Sequence, residues 1–174
     1  LTYKEAITEQ ELKDRYVASE CLKYLLNRGK FKVKIKPAGI TSHIDLRCKM
    51  VDQDRNETPF YVEIKERYKD EVKLEEYPFA ELKVEKYNRM EAITPDNTFL
   101  YYMVLLNEQK CMMFNLYELD WSKVKTVIWH IKKTQYWDQS YYVDTPVYMI
   151  PYDMAEAECD CTQYYQDYYR MTGK

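Results

Sequence analysis

His43-Ile44-Asp45-Leu46-Arg47-Cys48-Lys49-Met50 and, after a polar connection, Phe60-Tyr61-Val62-Glu63-Ile64-Lys65-Glu66-Arg67 are the stretches whose reading decides the fold. Each reads as a strand with one packed and one solvated face, because apolar and polar residues take turns at a period of two. In the first, His43, Asp45, Arg47 and Lys49 share a face, and Ile44, Leu46, Cys48 and Met50 share the other. In the second, Phe60, Val62 and Ile64 oppose Tyr61, Glu63, Lys65 and Arg67. Phe31-Lys32-Val33-Lys34-Ile35-Lys36 alternates just as strictly upstream, with a basic face, and Pro37 to Thr41 breaks it. Val51 to Pro59 is the polar connection, so the three strands form a meander.

Working outward, Thr8 with Glu11 reads as a capping box opening a helix that runs to about Arg28 and stops at Gly29. Ala18, Leu22, Leu25 and Leu26 make its apolar stripe, with Glu20 just off the edge. Downstream, Pro78 suits the first turn of a second helix, with Phe79, Leu82, Tyr87 and Met90 inward and Thr94-Pro95-Asp96-Asn97 as its stop. Phe99 to Leu106 is a continuous apolar run, as a buried central strand requires, and Lys110 to Leu116 is its hairpin partner. Val124 to Ile131 and Tyr141 to Ile150 read as further strands, and the tail from Asp153 as helix. The order is helix, three-strand meander, helix, strand, then additions, which is the mixed α/β class. We expect a single domain over 1–174, with a core at about 8–118 and an extension at about 119–174.

The composition agrees with a packed domain: 46% of the 174 residues are hydrophobic and 16% aromatic, with only 3 Gly to supply flexible linkers. A formal charge of −3 argues against a module that only grips a nucleic-acid backbone, and no basic groove is legible in the chain. It argues less against an enzyme whose site collects carboxylates around cations. No apolar run approaches the ~18 residues that span a bilayer, so no membrane role is expected. Leu1-Thr2-Tyr3-Lys4-Glu5-Ala6-Ile7 and the residues after it lack the pattern of a secretory signal. Cys21, Cys48, Cys111, Cys159 and Cys161 are an odd set without framework spacing and read as reduced thiols, making cytoplasm the expected compartment.

The chemistry concentrates on the polar face of the meander. For any one of its charged residues a solvated sheet surface is the plainer reading, but here carboxylates and an ammonium converge. Glu63 and Lys65 are two apart, hence on one face about 6–7 Å along the strand. In a hairpin Asp45 faces Glu63 across the ladder. Carboxylates so placed repel until a proton or a cation intervenes, and Mg²⁺ or Mn²⁺ takes oxygen ligands while keeping waters for exchange. Lys65 beside such a centre can deprotonate or orient a water, or stabilise a phosphoryl transition state.

Ile44-Asp45, the intervening loop and Glu63-Ile64-Lys65 resemble the PD-(D/E)XK nuclease signature, and the element order over residues 8 to 106 resembles that superfamily's restriction endonuclease-like core, shared with Holliday-junction resolvases. Ile44 stands where the name-giving motif has Pro. The resemblance implies that Asp45 and Glu63 bind metal with the Ile64 carbonyl as a further ligand, and that Lys65 acts on the water. It also implies an acidic residue from the first helix, Glu20 ahead of Glu11. Lys83 and Lys86 on the second helix and Arg67 on the motif strand would touch substrate phosphate; their alternative is ordinary ion pairing on a solvated surface.

The expected function is therefore a Mg²⁺- or Mn²⁺-dependent nuclease acting on nucleic acid, DNA ahead of RNA, with a homodimer or an accessory protein as further partner. A catalytically silent binding or assembly subunit on the same fold is the alternative. Low Gly and high Tyr and Lys usage suits a phage or mobile-element source. His43 reads as an ordinary hydrogen-bonded surface residue, with contact to substrate or a second metal as its alternative, His130 as structural, and Cys159-Asp160-Cys161 as free thiols. The tyrosine-rich tail reads as a helix packed on the core, with base stacking as its functional alternative.

Overall fold

Thr8 caps the first helix as its spacing from Glu11 requires. Thr8 Oγ1 accepts from the Glu11 N–H at 3.1 Å, and the Glu11 carboxylate accepts from the Thr8 N–H at 2.8 Å. The computed structural model describes residues 8–39, 42–135 and 139–173, so part of the expected break over Pro37 to Thr41 lies outside the described residues. Helix α1 (Glu9–Arg28) buries Val17, Ala18, Cys21 and Leu22 on one stripe, and Leu25 and Leu26 pack at its edge.

The strands β1 (Lys32–Pro37), β2 (Leu46–Val51) and β3 (Glu57–Arg67) pair antiparallel in sequence, Leu46 opposite Val62. Then come α2 (Glu71–Glu76), β4 (Phe79–Lys83) and α3 (Val84–Ile93). They form the crossover that a parallel neighbour needs, and β5 (Phe99–Leu106) returns beside β3 in parallel, with Glu63 opposite Tyr102. The hairpin strand β6 (Lys110–Asn115) follows. A long ribbon, β7 (Lys125–Gln135) with β8 (Gln139–Pro151), joins β4 in a separate three-stranded sheet of order β4-β8-β7. The chain ends in β9 (Ala157–Asp160), which pairs with β6, and α4 (Thr162–Thr172). The main sheet is thus mixed and six-stranded, in the order β1-β2-β3-β5-β6-β9.

Both faces of that sheet are covered. Under α1 and α4, Leu22, Phe60, Val62, Met103, Leu105 and Tyr165 pack together. On the opposite face Tyr102, Val104, Leu106 and Phe114 meet Leu82, Met90 and Ile150 from β4, α3 and β8. Hence β5 carries no polar side: it is apolar along its whole length because neither face meets water.

Three expectations are corrected. The second helix starts at Val84, not near Pro78, because Phe79–Lys83 pairs with β8 and buries Ala80, Glu81 and Leu82. A long-range strand partner thus overrides the helical spacing, and Lys83 closes β4 ahead of α3. The tail is not helix from Asp153, because the open edge of β6 takes Ala157–Asp160 as a strand first. The first motif strand begins at Leu46, not His43. Residues 43–45 bend, which sends Ile44 into the core opposite to that of Leu46 and Cys48. Among the described residues no helix is long and apolar enough to cross a membrane.

Leu105 is fully buried near the C-terminal end of β5, in the core under α1 and α4. Leu105→Ala should destabilise the chain by about 2–5 kcal/mol, visible as a lower urea midpoint at unchanged slope; a loss well under 1 kcal/mol would mean that this core is loosely packed.

Candidate functional site

Strand β2 stops pairing at Leu46–Val62, while β3 runs on to Arg67. That overhang leaves the flank of β3 from Glu63 onward without a strand neighbour, and the bend before β2 fills it. The Asp45 N–H donates to the Val62 carbonyl and the Ala38 N–H donates to the Asp45 carbonyl, both at 2.9 Å, so the bend is clamped on two sides. The Asp45 carboxylate then accepts the Ile64 N–H at 2.7 Å, satisfying a donor that a longer β2 would have taken.

Glu63 is buried, only 9% exposed. Its Oε1 lies 3.3 Å from Lys86 Nζ on α3, while Oε2 is buried without a hydrogen-bond partner. Burial, then the neighbouring Asp45 charge, pushes the Glu63 carboxyl up to about 8, against the pull of Lys86 and Lys65. Asp45 is also raised by burial, with the Ile64 hydrogen bond opposing. Lys65 is lowered by desolvation and then by Arg67, which outweigh the attraction of Glu63.

Asp45, Glu63, Ile64 and Lys65 line one cleft of about 440 Å³, closed on its other wall by Glu11, Asp14 and Arg15 of α1. Glu20 is not there. Its carboxylate pairs with Lys23 at 3.2 Å and lines a separate hollow beside Tyr24 and Phe31. The reason is helix geometry: six residues beyond Asp14 is about 9 Å further along the axis and about 120° around it. The helix acids that do reach the cleft are Glu11, the second choice from sequence, and Asp14, which sequence reasoning missed. Asp14 could have been found, since it lies one turn before Ala18 on the apolar stripe. Burial, then the hydrogen bond and charge of Glu66, raises the Asp14 carboxyl to about 8. Glu66 itself is lowered: burial raises it, but Asp14, Tyr68 and Tyr165 hydrogen bonds and Lys13 outweigh that.

A second cleft of about 860 Å³ adjoins the first through Lys65 and Tyr68. It gathers Arg67, Lys69, Lys73 and Lys83 against Trp129 and Ile131 of the β7–β8 ribbon, a basic groove that the scattered sequence positions concealed. Lys69 was missed; its buried ammonium donates to Glu81 at 2.6 Å and to the Phe79 carbonyl at 2.8 Å. Arg67 lies 3.8 Å from the same Glu81. Lys86 is not in this groove, being held on Glu63. His130 sits on the exposed ribbon, paired with Asp144 and stacked on Tyr142.

No protein-family model matches the chain, and a comparison with curated proteins finds no match. Among solved structures the chain is similar to Hjc, a Holliday junction resolvase from Archaeoglobus fulgidus. That similarity has a TM-score of 0.41 and 11% identity, over 83% of this chain and 96% of that one.

Because Glu63 and Asp14 hold their protons up to about pH 8 in the folded chain but release them near their ordinary values when unfolded, the metal-free protein should lose stability as pH rises from about 4.5 to about 8. Unfolding at a series of pH values in chelator reads this. Asp45→Asn should flatten the slope by removing the charge that raises Glu63; a slope of the opposite sign would contradict the assigned burial of these carboxyls.

Proposed function

We propose that this chain is a divalent-metal-dependent nuclease, hydrolysing phosphodiester bonds of nucleic acid, DNA ahead of RNA. The observation that carries the reading is the Asp45–Glu63 pair: carboxylates in one cleft, one with a buried oxygen lacking any partner, beside a Lys of depressed pKa. Such a donor set fits Mg²⁺ or Mn²⁺, which favour carboxylate and carbonyl oxygens, and does not suit a softer ion. Asp45 and Glu63 would hold the ion. The Ile64 carbonyl leaves β3 on the same flank as the N–H that Asp45 accepts, and would add a further ligand. Held by these residues, such an ion would supply Lewis acidity toward a water and charge neutralisation toward a phosphoryl oxygen.

The chain's own groups do the rest. Lys65 takes the proton of the attacking water or orients it, and the desolvation that lowers its pKa favours the neutral amine a base requires. Asp14, whose carboxyl carries a proton at neutral pH, stands on the opposite wall and shares that proton with Glu66. Arg67 and Lys83 would grip phosphates along the adjoining basic groove, and Trp129 offers a stacking face there. Lys86 holds Glu63 Oε1 in the absence of metal and would turn to phosphate when the cation takes that oxygen.

A second reading, a silent binding or assembly subunit, is favoured by that same Lys86 ion pair, since an ammonium already supplies part of the counter-charge a cation would bring. Labelled DNA and RNA incubated with Mg²⁺ or Mn²⁺ separate the two. On the nuclease reading cleavage is metal-dependent and lost in Asp45→Ala, while Glu20→Ala cuts normally. Binding without cleavage by the wild type supports the silent subunit.

Lys65→Ala should reduce single-turnover cleavage by about 10²–10⁴-fold while leaving metal affinity equal or slightly higher, since it removes a nearby positive charge but no ligand. Lys65→Arg should not restore the rate, because guanidinium stays protonated at working pH. Calorimetric metal titration should fail in an Asp45→Asn, Glu63→Gln double variant. Near-normal cutting by Lys65→Ala would withdraw the assignment.

A further inference from the structure

Four of the chain's five cysteines come together from three separate stretches of the sequence, around 21, 111 and 159–161. Cys21 on α1, Cys111 on β6 and Cys159 on β9 place their sulfurs within 4.8 Å of one another. The strand register enforces part of this, since Cys111 and Cys159 sit directly opposite in the β6–β9 ladder. Cys161, fully buried at the head of α4, reaches the Cys21 thiol, and its N–H is fixed to the Gln109 carbonyl at 2.9 Å. The fifth, Cys48, is buried on β2, shares none of these sulfur contacts, and shows what an isolated core thiol looks like here.

We propose that Cys21, Cys111, Cys159 and Cys161 bind a structural Zn²⁺ ion that staples β9 and α4 to α1 and β6. A lone buried cysteine behaves as a small hydrophobe, but a knot of thiols fills space less well than the leucines and methionines around it. Its chemistry is that of a sulfur-ligand set. Tetrahedral zinc with Zn–S near 2.3 Å puts neighbouring sulfurs about 3.8 Å apart, and the three sulfurs within 4.8 Å of one another are gathered on that scale; Cys161, in reach of Cys21, would be the fourth ligand. An iron–sulfur cluster places several irons between its thiolates and needs wider spacing. Each thiol that binds releases its proton to solvent, so affinity rises with pH. Cys159, partly buried where the other three thiols are fully buried, gives the ion a first point of attachment. The metal would have no part in the Asp45–Glu63 chemistry; its effect is to fix α1, which carries Glu11 and Asp14, against the sheet.

The full chain, purified under reducing conditions with zinc in the medium, should carry about one zinc by elemental analysis. Replacement by Co²⁺ should give thiolate-to-cobalt charge-transfer and intense tetrahedral d–d absorption. Cys159→Ser, at the partly buried position and checked for fold by circular dichroism, should lose zinc and the cobalt bands, while Cys48→Ser keeps both. A thiol-reactive reagent that releases the zinc should lower the melting temperature of the wild type but not of Cys159→Ser. Folded wild type with neither zinc nor a cobalt–thiolate spectrum, equal zinc in Cys159→Ser and Cys48→Ser, or iron with sulfide in place of zinc would each overturn the proposal.

Discussion

The hydrogen bond from the Ile64 N–H to the Asp45 carboxylate is the hinge of the structure. It exists because β2 is shorter than β3, and the difference would otherwise leave strand donors open at an edge. The bend over residues 43–45 resolves that problem with a side chain rather than another strand. In doing so it turns Ile44 into the core shared by β4, α3 and β8, and it aims an acid at the flank where Glu63 emerges. Sheet edge, second core and cleft therefore depend on the same residue. An apolar residue at 45 would leave a part-buried amide unpaired, a cost of about 1–3 kcal/mol, so Asp45 serves the fold whatever else it does.

The electrostatics of the cleft follow from placing more acid than base in a partly desolvated space. Glu63 and Asp14 both rise to about 8, and each does so beside a second carboxylate, Asp45 and Glu66 respectively. The two pairs resolve the conflict differently. Asp14 and Glu66 share a proton, and the hydroxyls of Tyr68 and Tyr165 with Lys13 keep Glu66 ionised. Around Asp45 and Glu63 the donors run out: one comes from Ile64, one ammonium from Lys86, and Glu63 Oε2 receives nothing. The first pair is complete within the protein, and the second is short of positive charge. That asymmetry is why the proposed cation belongs at Asp45 and Glu63 rather than at Asp14 and Glu66 in the same cleft.

Local patterning carried most of the fold and the centre of the site, and failed where a distant partner decides. The capping box at Thr8, the meander and the apolar run of β5 each follow from residues within one element, so period and capping suffice. Phe79–Lys83 reads as helix on its own; only the presence of β8 makes it a strand, and with it Lys83 leaves the helix. Ala157–Asp160 is a strand only because β6 offers an edge. Glu63 and Lys65 were legible because a two-residue period places them on β3, whereas Asp45 reaches the same cleft through the bend at 43–45 and Glu20, read by proximity to the stripe instead of angle along it, lines a separate hollow. The cysteine cluster was invisible for the same reason as β9: its geometry is set by a pairing of residues about fifty apart in the chain.

The net charge of −3 and the proposed grip on nucleic acid are reconciled by where the charges sit. Attraction of a polyanion depends on the field over the groove it enters, and exposed charges beyond a Debye length of about 8 Å are screened out at physiological ionic strength. Lys65, Arg67, Lys69, Lys73 and Lys83 fall within one groove, although they are spread over β3, β4 and the segment between. Two of them are committed: Lys69 and Arg67 are drawn onto Glu81, which lowers their pull on a phosphate while fixing their position. Lys65, Lys73 and Lys83 remain to face the groove. A grip of so few cations is weak and salt-sensitive, with a salt slope set by the handful of phosphates neutralised. Binding on this scale would suit the proposed enzyme, which must release its product, and would place the burden of affinity on the proposed cation and on the aromatic wall at Trp129.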